Sequence, residues 1–207
     1  VESGKKSVLI TGSGGYIGRL LLKALVAEKE RIGPVVALDV SDIPVEDKMQ
    51  TVQYVTEDIR SPRLSDIFRR FEVDIVVHLA SIVTPSKGMN REFLHSVEVL
   101  GTENVVNSCL ETGVGKLIVT SSGAAYGYHS DNPEWLTETD ALRGNPEFAY
   151  SDHKRLVEEN LERTRKEHPE LQQLIFRPGT ILGATADNQI TALFRKPFVI
   201  GLKGAAT

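Results

Sequence analysis

The feature that most constrains this chain is a set of glycines at three-residue spacing, placed between a short apolar run and a helical pattern: Val8-Leu9-Ile10-Thr11-Gly12-Ser13-Gly14-Gly15-Tyr16-Ile17-Gly18-Arg19. Val8 to Ile10 reads as a buried strand, and from Tyr16 and Ile17 onward apolar residues recur with a helical period. A strand that turns through glycines directly into a helix builds a cradle for a pyrophosphate. Gly12 allows the sharp turn, Gly15 lets the backbone approach the phosphates, and Gly18 lets the helix lie close on the strand. The helix N-terminus adds free N–H groups and the positive end of its dipole. The same turn could also serve as a plain βα connection, so the rest of the chain has to decide.

With 41% hydrophobic and 25% charged residues, the 207-residue chain has the balance of a globular protein able to bury a full core. A net charge of −4 spread without a basic block gives nucleic acid or an anionic membrane nothing to hold. Apolar runs fall well short of a bilayer span, and Val1 to Lys6 lacks the apolar segment of a signal peptide. Cys109 is the single cysteine, so no disulfide framework exists, which fits a reducing compartment. A cytoplasmic protein with no membrane or nucleic-acid partner is expected.

Strand and helix patterns alternate about six times along the chain. After the first helix, Gly33-Pro34 punctuates and Val35-Val36-Ala37-Leu38 forms a second strand ending in Asp39. An acidic residue at that point accepts hydrogen bonds from the adenosine ribose and repels a 2′-phosphate, so Asp39 favours NAD over NADP. Val52 to Val55 gives a third strand, Leu64 to Phe71 a short helix, and Asp74 to Ala80 a fourth strand with almost no alternation. That continuity is expected where helices cover both faces. His78, inside it, is expected to be a core or strand-end histidine with a satisfied ring. The five histidines lack ligand spacing, so no metal site is expected.

Residues 90–113 read as a long helix with Phe93, Leu94, Val97, Leu100, Val105 and Leu110 inward and Cys109 as inert core. Lys116 to Ser122 is a fifth strand, and residues 123–146, which include Trp135, form a polar surface excursion near a site. Tyr150 to His168 is a charged helix ended by Pro169. Leu171 to Phe176 is a sixth strand, closed by Arg177-Pro178-Gly179. The fold class is therefore α/β: a doubly wound parallel sheet of Rossmann type in three α/β/α layers, with right-handed crossovers.

In such sheets ligands bind beyond the carboxyl ends of the strands. Ser121-Ser122 end the fifth strand, and Tyr150 and Lys154, spaced i, i+4, share a face of the next helix. A tyrosine hydroxyl ionises near pH ~10 and is a poor base at neutrality. A neighbouring ammonium favours the phenolate. Tyr150 could then exchange a proton with a substrate hydroxyl while hydride moves to or from a nicotinamide, with Ser122 holding the same oxygen. A solvated surface pair is the plain alternative, because Tyr-x-x-x-Lys alone is a weak signal.

The order and intervals of these motifs narrow the reading. The set resembles the extended short-chain dehydrogenase/reductase family, in its branch of NAD-dependent epimerases and dehydratases, over residues 5–184. Its TGxxGxxG pattern is matched by Thr11-Gly12, Gly15 and Gly18. The resemblance implies adenine contacts from Asp58 and Ile59, and a loop along the cofactor at Leu79-Ala80-Ser81. It places a catalytic serine at Ser122, the base at Tyr150, and a supporting lysine at Lys154 that also holds the nicotinamide ribose. Pro178 would flank the nicotinamide. The implied partners are NAD, a small-molecule substrate that is a nucleotide sugar, and a second copy of the chain, paired through helices near 90–113 and 148–167.

Several positions depart from the family pattern. Gly123 and Ala124 stand where dehydratases carry an Asp-Glu pair for water elimination, which argues against a 4,6-dehydratase. Glu98 stands where many members have Asn, and His153 where Ser or Thr is usual; His153 is expected to be a tolerated surface variant. Such enzymes continue for another hundred residues or more, so residues 1–184 are expected to form the dinucleotide-binding domain and residues 185–207 the start of a small substrate domain that is largely absent. The reading at this level is an NAD-dependent epimerase or dehydrogenase acting on a secondary hydroxyl. A hydroxysteroid-type or other small-alcohol dehydrogenase, and a non-catalytic dinucleotide-binding sensor, remain alternatives.

Overall fold

The computed structural model describes residues 4–183 together with Ala186 and Ala192. The expected substrate-domain segment from 185 onward otherwise lies outside the described residues. Six strands form the sheet: β1 (Lys6–Thr11), β2 (Ile32–Asp39), β3 (Val52–Thr56), β4 (Ile75–His78), β5 (Lys116–Thr120) and β6 (Gln172–Phe176). Their order is β3-β2-β1-β4-β5-β6, every neighbour parallel. This is the doubly wound arrangement, with its switch point between β1 and β4.

Helix α1 (Tyr16–Ala27) covers one face of the sheet; α2 (Leu64–Arg70), α4 (Gly101–Thr112) and α5 (Ala149–Glu167) cover the other, and α3 (Arg91–His95) leads into α4. The alternation of β1 explains the layering. Leu9 packs with Leu64, Phe68, Val105, Cys109 and Leu161, whereas Val8 and Ile10 pack with Leu22. Both sides of the strand are apolar because both faces are covered. Cys109 is fully buried, and burial pushes its thiol well above the ordinary range, as inert core requires.

The segment read as one helix over 90–113 is continuous but not uniform. Asn90 caps it by accepting from Phe93 N at 2.8 Å, residues Ser96–Leu100 form a π-helical turn, and Gly113 closes α4 in the left-handed region at φ 73°. Its inward face is also more polar than hydropathy suggests. Glu98, Thr102 and Ser108 are buried, while Leu100 is 49% exposed. Gly33-Pro34 lies inside β2 rather than before it, where the β1/β2 register shifts between Lys6 and Val8.

Candidate active site

The ends of all six strands build the site. After β1, Gly12 turns at φ 68° because the loop after β4 lies directly against it: an added Cβ would sit 2.6 Å from Ala80 N. Gly18 is held as tightly, since its Cβ would be driven into Gly12 O and lie 2.7 Å from Ser13 Cα. Gly15 differs. Its Cβ would meet Gly12 O alone, at 3.2 Å, a tight contact but with one atom where Gly12 and Gly18 would each meet several. Gly15 is also the N-cap of α1, and no side chain caps that helix. The end of β2 supplies Asp39, whose Oδ2 accepts from Gly14 N at 2.9 Å and whose Oδ1 accepts from Ser41 N at 3.0 Å. This fixes the carboxylate beside the glycine turn.

Two clefts meet at that turn. One, of about 870 Å³, is lined by Asp39, Asp58, Ile59 and Ala80; the other, of about 650 Å³, by Tyr16, Ile17, Gly18, Ser122, Tyr150, Lys154 and Pro178. Gly12, Gly15, Leu79 and Ser81 line both. Every catalytic and cofactor-binding residue expected from the sequence thus stands on the wall of one groove with the uncapped start of α1 at its middle. A bipartite ligand with an anionic centre fits that shape. Asp58 is already engaged, since Arg60 donates to it from Nε, Nη2 and its backbone N. That bonding to Arg60 outweighs partial burial and holds the Asp58 carboxyl below its usual range.

In the second cleft, Ser122 caps a 3-10 turn over Gly123–Tyr126, its Oγ accepting from Ala124 N at 3.1 Å. Lys154 Nζ lies 5.6 Å from the Tyr150 ring centroid. The Tyr150 hydroxyl makes no hydrogen bond to the described residues, so it is open to the cleft. Outward from Tyr150 runs a short aromatic row, with Phe148 at 6.2 Å and Tyr128 a further 6.1 Å between centroids. Asn145 organises it: its Oδ1 accepts from Tyr128 N and its carbonyl from Phe148 N.

Around this centre lies a buried polar shell that sequence reasoning largely missed. Lys154 is buried and pairs with Glu98 at 3.1 Å while donating to Ser81 Oγ at 3.1 Å. Glu98 also accepts from Ser81 Oγ and Ile82 N. Burial on its own raises the Glu98 carboxyl, but the Lys154 charge and these hydrogen bonds outweigh it and hold the group below its usual range. His78 bridges two threonines, Nδ1 to Thr11 Oγ1 at 2.7 Å and Nε2 to Thr102 Oγ1 at 2.9 Å. Because the Thr102 hydroxyl donates to Glu98 O, it accepts from His78; the ring is therefore the Nε2–H tautomer, with Thr11 donating to Nδ1. Burial first, and the Lys154 charge second, push the His78 pKa down to about 4. This is the satisfied strand-end histidine the sequence suggested.

His153 is not the surface variant expected of it. It is 1% exposed and packs edge-on against His95 at 5.4 Å, because its position on α5 turns toward α3 instead of outward. Glu158 is another buried acid that the sequence reading passed over. It accepts from Ser121 Oγ at 2.6 Å and from Arg177 Nη2 at 2.7 Å, which locks the start of the Arg177-Pro178 segment. A signal was available for Glu98 and Glu158, since both fall on the apolar-periodic faces of their helices. Among the described residues no group of His, Cys, Asp or Glu could hold a metal, and no helix is long and apolar enough to cross a membrane.

Residues 8–198 match the NAD dependent epimerase/dehydratase family. The chain belongs to that family. NAD is the family's cofactor, and the parallel six-stranded sheet with helices on both faces is the fold of its epimerase neighbours. Among curated relatives, dTDP-4-dehydro-6-deoxyglucose reductase of Escherichia coli is 31% identical over 184 residues, covering 81% of this chain and 53% of the relative. Sterol-4-alpha-carboxylate 3-dehydrogenase (decarboxylating) of Saccharomyces cerevisiae is 26% identical over 202 residues, 94% of this chain and 56% of its own. Among solved structures, the UDP-Glc/GlcNAc 4-epimerase of Campylobacter jejuni superposes with a TM-score of 0.73 at 25% identity, over 83% of this chain and 53% of that one. The chain therefore spans about half the length of the relatives it matches.

Proposed function

We propose that this chain is the dinucleotide-binding half of an NAD-dependent epimerase or dehydrogenase that acts on a secondary hydroxyl of a nucleotide sugar. The observation that carries this reading is the meeting of Ser122, Tyr150 and Lys154 in a cleft continuous with the glycine turn and Asp39. Asp39 would hold the adenosine ribose, and Gly15 with the start of α1 the pyrophosphate. Asp58, Ile59, Leu79, Ala80 and Ser81 would line the adenosine side, and Pro178 and Lys154 the nicotinamide side. Bound NAD supplies a hydride acceptor.

The chain's own residues do the rest. Tyr150, with a hydroxyl open to the cleft, takes the proton of the substrate hydroxyl, and Ser122 steadies the same oxygen by a hydrogen bond. The Lys154 ammonium, 5.6 Å from the Tyr150 ring centroid, would steady the charge that develops as the proton moves. Gly123 and Ala124 offer no second acid or base beyond Ser122, which weighs against water elimination. Sugar-nucleotide enzymes among the relatives support the substrate class. Residues from 185 onward are proposed to open a substrate domain, and Phe93 and Leu100, 37% and 49% exposed, give the α3–α4 region an apolar surface for pairing with a second copy. The one cysteine, buried in the core, is compatible with a cytoplasmic enzyme.

The neighbouring aromatic rings of Tyr128, Phe148 and Tyr150, each tilted about 40° to the next, favour a second reading, a fused-ring secondary alcohol such as a hydroxysteroid, whose apolar body would find aromatic surface beside the site. One experiment separates the two. Full-length protein is incubated with NAD and UDP- or dTDP-hexoses, or with a hydroxysteroid, following NADH absorbance and product configuration. Configurational inversion without net NADH identifies an epimerase, NADH release a dehydrogenase, and turnover of the steroid alone selects the second reading. Binding of NAD without turnover of either class would leave the sensor alternative.

A further inference from the structure

Glu98 has no part in the chemistry proposed above, yet it sits at the centre of the polar shell. It is 3% exposed, and its carboxylate receives Lys154 Nζ, Ser81 Oγ and Ile82 N. These partners belong to two separate parts of the groove: the loop after β4, on the side where the two clefts join, and α5, which carries Tyr150. The π-helical turn Ser96–Leu100 presents the residue there, and the Glu98 carbonyl is taken up by Thr102 Oγ1 at 2.6 Å. A carboxylate this deep is costly unless paired, and an unpaired ammonium is as costly. Each group is therefore the condition for the other.

We propose that Glu98 is a positioning residue that holds Lys154 as a charged ammonium against Ser81 and the Tyr150 ring, so tying the loop at Leu79–Ser81 to the proton-transfer tyrosine. The proposal deepens the hydride-transfer reading and rests on it for its catalytic consequence. The other charged or titratable groups facing the pair do not replace Glu98. His78, from β4, is neutral above about pH 4. His153, from α5, is disfavoured as a cation by burial first and then by His95 and Arg91, against the opposing pull of Glu98 and then Asp152; Asp152 is itself committed to Arg91 and Arg155. Tyr150 offers only its ring. With an amide at position 98, Lys154 would remain buried without a counter-charge, and burial favours its neutral amine.

The test compares wild type, Glu98→Gln and Glu98→Asp in the full-length protein. The first readout needs no turnover: labelling of Lys154 by acetic anhydride, which attacks the neutral amine, is followed against pH by mass spectrometry of its peptide. Glu98→Gln is expected to begin labelling at a pH at least about one unit lower than wild type, and Glu98→Asp, which keeps the charge, near wild type. The second readout is the ratio of kcat/KM, variant over wild type, between pH 6 and 9. For Glu98→Gln it should fall about tenfold across that range, as Lys154 loses its proton and Tyr150 its neighbouring cation, while Glu98→Asp shows a flat ratio. A labelling profile unmoved in a folded Glu98→Gln protein overturns the proposal, as does a pH-independent activity ratio. Should Glu98→Gln not fold, a Glu98→Asp profile displaced as far as one unit would overturn it, and an undisplaced profile with reduced kcat would support it. A shift in labelling in a protein that turns over no alcohol keeps the ion-pair role and rejects the hydride-transfer reading.

Discussion

Tyr150 is half-buried, and its hydroxyl makes no hydrogen bond to the described residues that would stabilise the fold. Tyr150→Phe should therefore leave unfolding unchanged while lowering kcat by roughly 10²–10⁴, the range lost with a positioned proton-transfer group. Unchanged turnover would remove Tyr150 from the chemistry. Asp39 serves two purposes that a substitution will mix, because its carboxylate both orders Gly14 and Ser41 and stands where a ribose would bind. The informative quantity is a ratio, since loosening the turn weakens both dinucleotides alike. Asp39→Ala should narrow the preference for NAD over NADP by about tenfold, the worth of a charged hydrogen bond, as measured by the two dissociation constants. A wild type that prefers NADP would overturn the assignment.

At the scale of elements, the glycine turn separates into structural and ligand-facing parts. Gly12 is fixed by a left-handed φ and by the backbone of Ala80; Gly12→Ala should cost at least about 2 kcal/mol in urea unfolding, through strain and overpacking together. Gly15 has an ordinary φ of −69°, and its missing Cβ would meet a single atom, Gly12 O at 3.2 Å, a tight contact that a small shift relieves. Gly15→Ala should leave stability within about 1 kcal/mol, the range for a change at an N-cap, yet weaken NAD binding tenfold or more. Equal effects of the two substitutions on stability would contradict this division. The strand ends and the glycine turn were legible in the sequence because period, glycine spacing and strand length all point the same way there. The helix over 90–113 was legible as a helix, but its inward face was so only in part, for a physical reason. Its inward face carries Glu98 and Thr102 because it serves the site as well as the core, so counting apolar residues turned Leu100 inward when it faces out. His153 was misplaced for a related reason. A histidine in a charged helix scores as solvent-facing, and only the crossing of α3 over α5 supplies the His95 ring that receives it.

For the whole molecule, the buried histidine at the switch point of the sheet links the site to acid stability. His78 joins β1, β4 and the start of α4 through Thr11 and Thr102, and it does so only as a neutral ring, since Nδ1 must accept while Nε2 donates. Protonation would convert that acceptor into a donor facing a hydroxyl already committed to it. The folded pKa of about 4 lies below the ordinary 6.5, so between those values the unfolded chain binds a proton that the folded chain refuses. Stability from this group is fully present above about pH 6.5 and is lost as pH falls toward 4, a total of about 3 kcal/mol. His153, whose ring burial also disfavours as a cation, adds to the slope in the same direction. The paired carboxylates Glu98 and Asp58, with lowered pKa, contribute in a separate and more acidic window below their unfolded values near ~4. Urea unfolding at intervals from pH 7.5 to 4.5 should therefore show falling stability before any carboxylate titrates. His78→Asn, which can still bond to a threonine but cannot ionise, should start less stable and lose much of that slope. If the slope were the same in wild type and variant, the neutral His78 bridge would not be what ties the strand ends of this site to the stability of the fold.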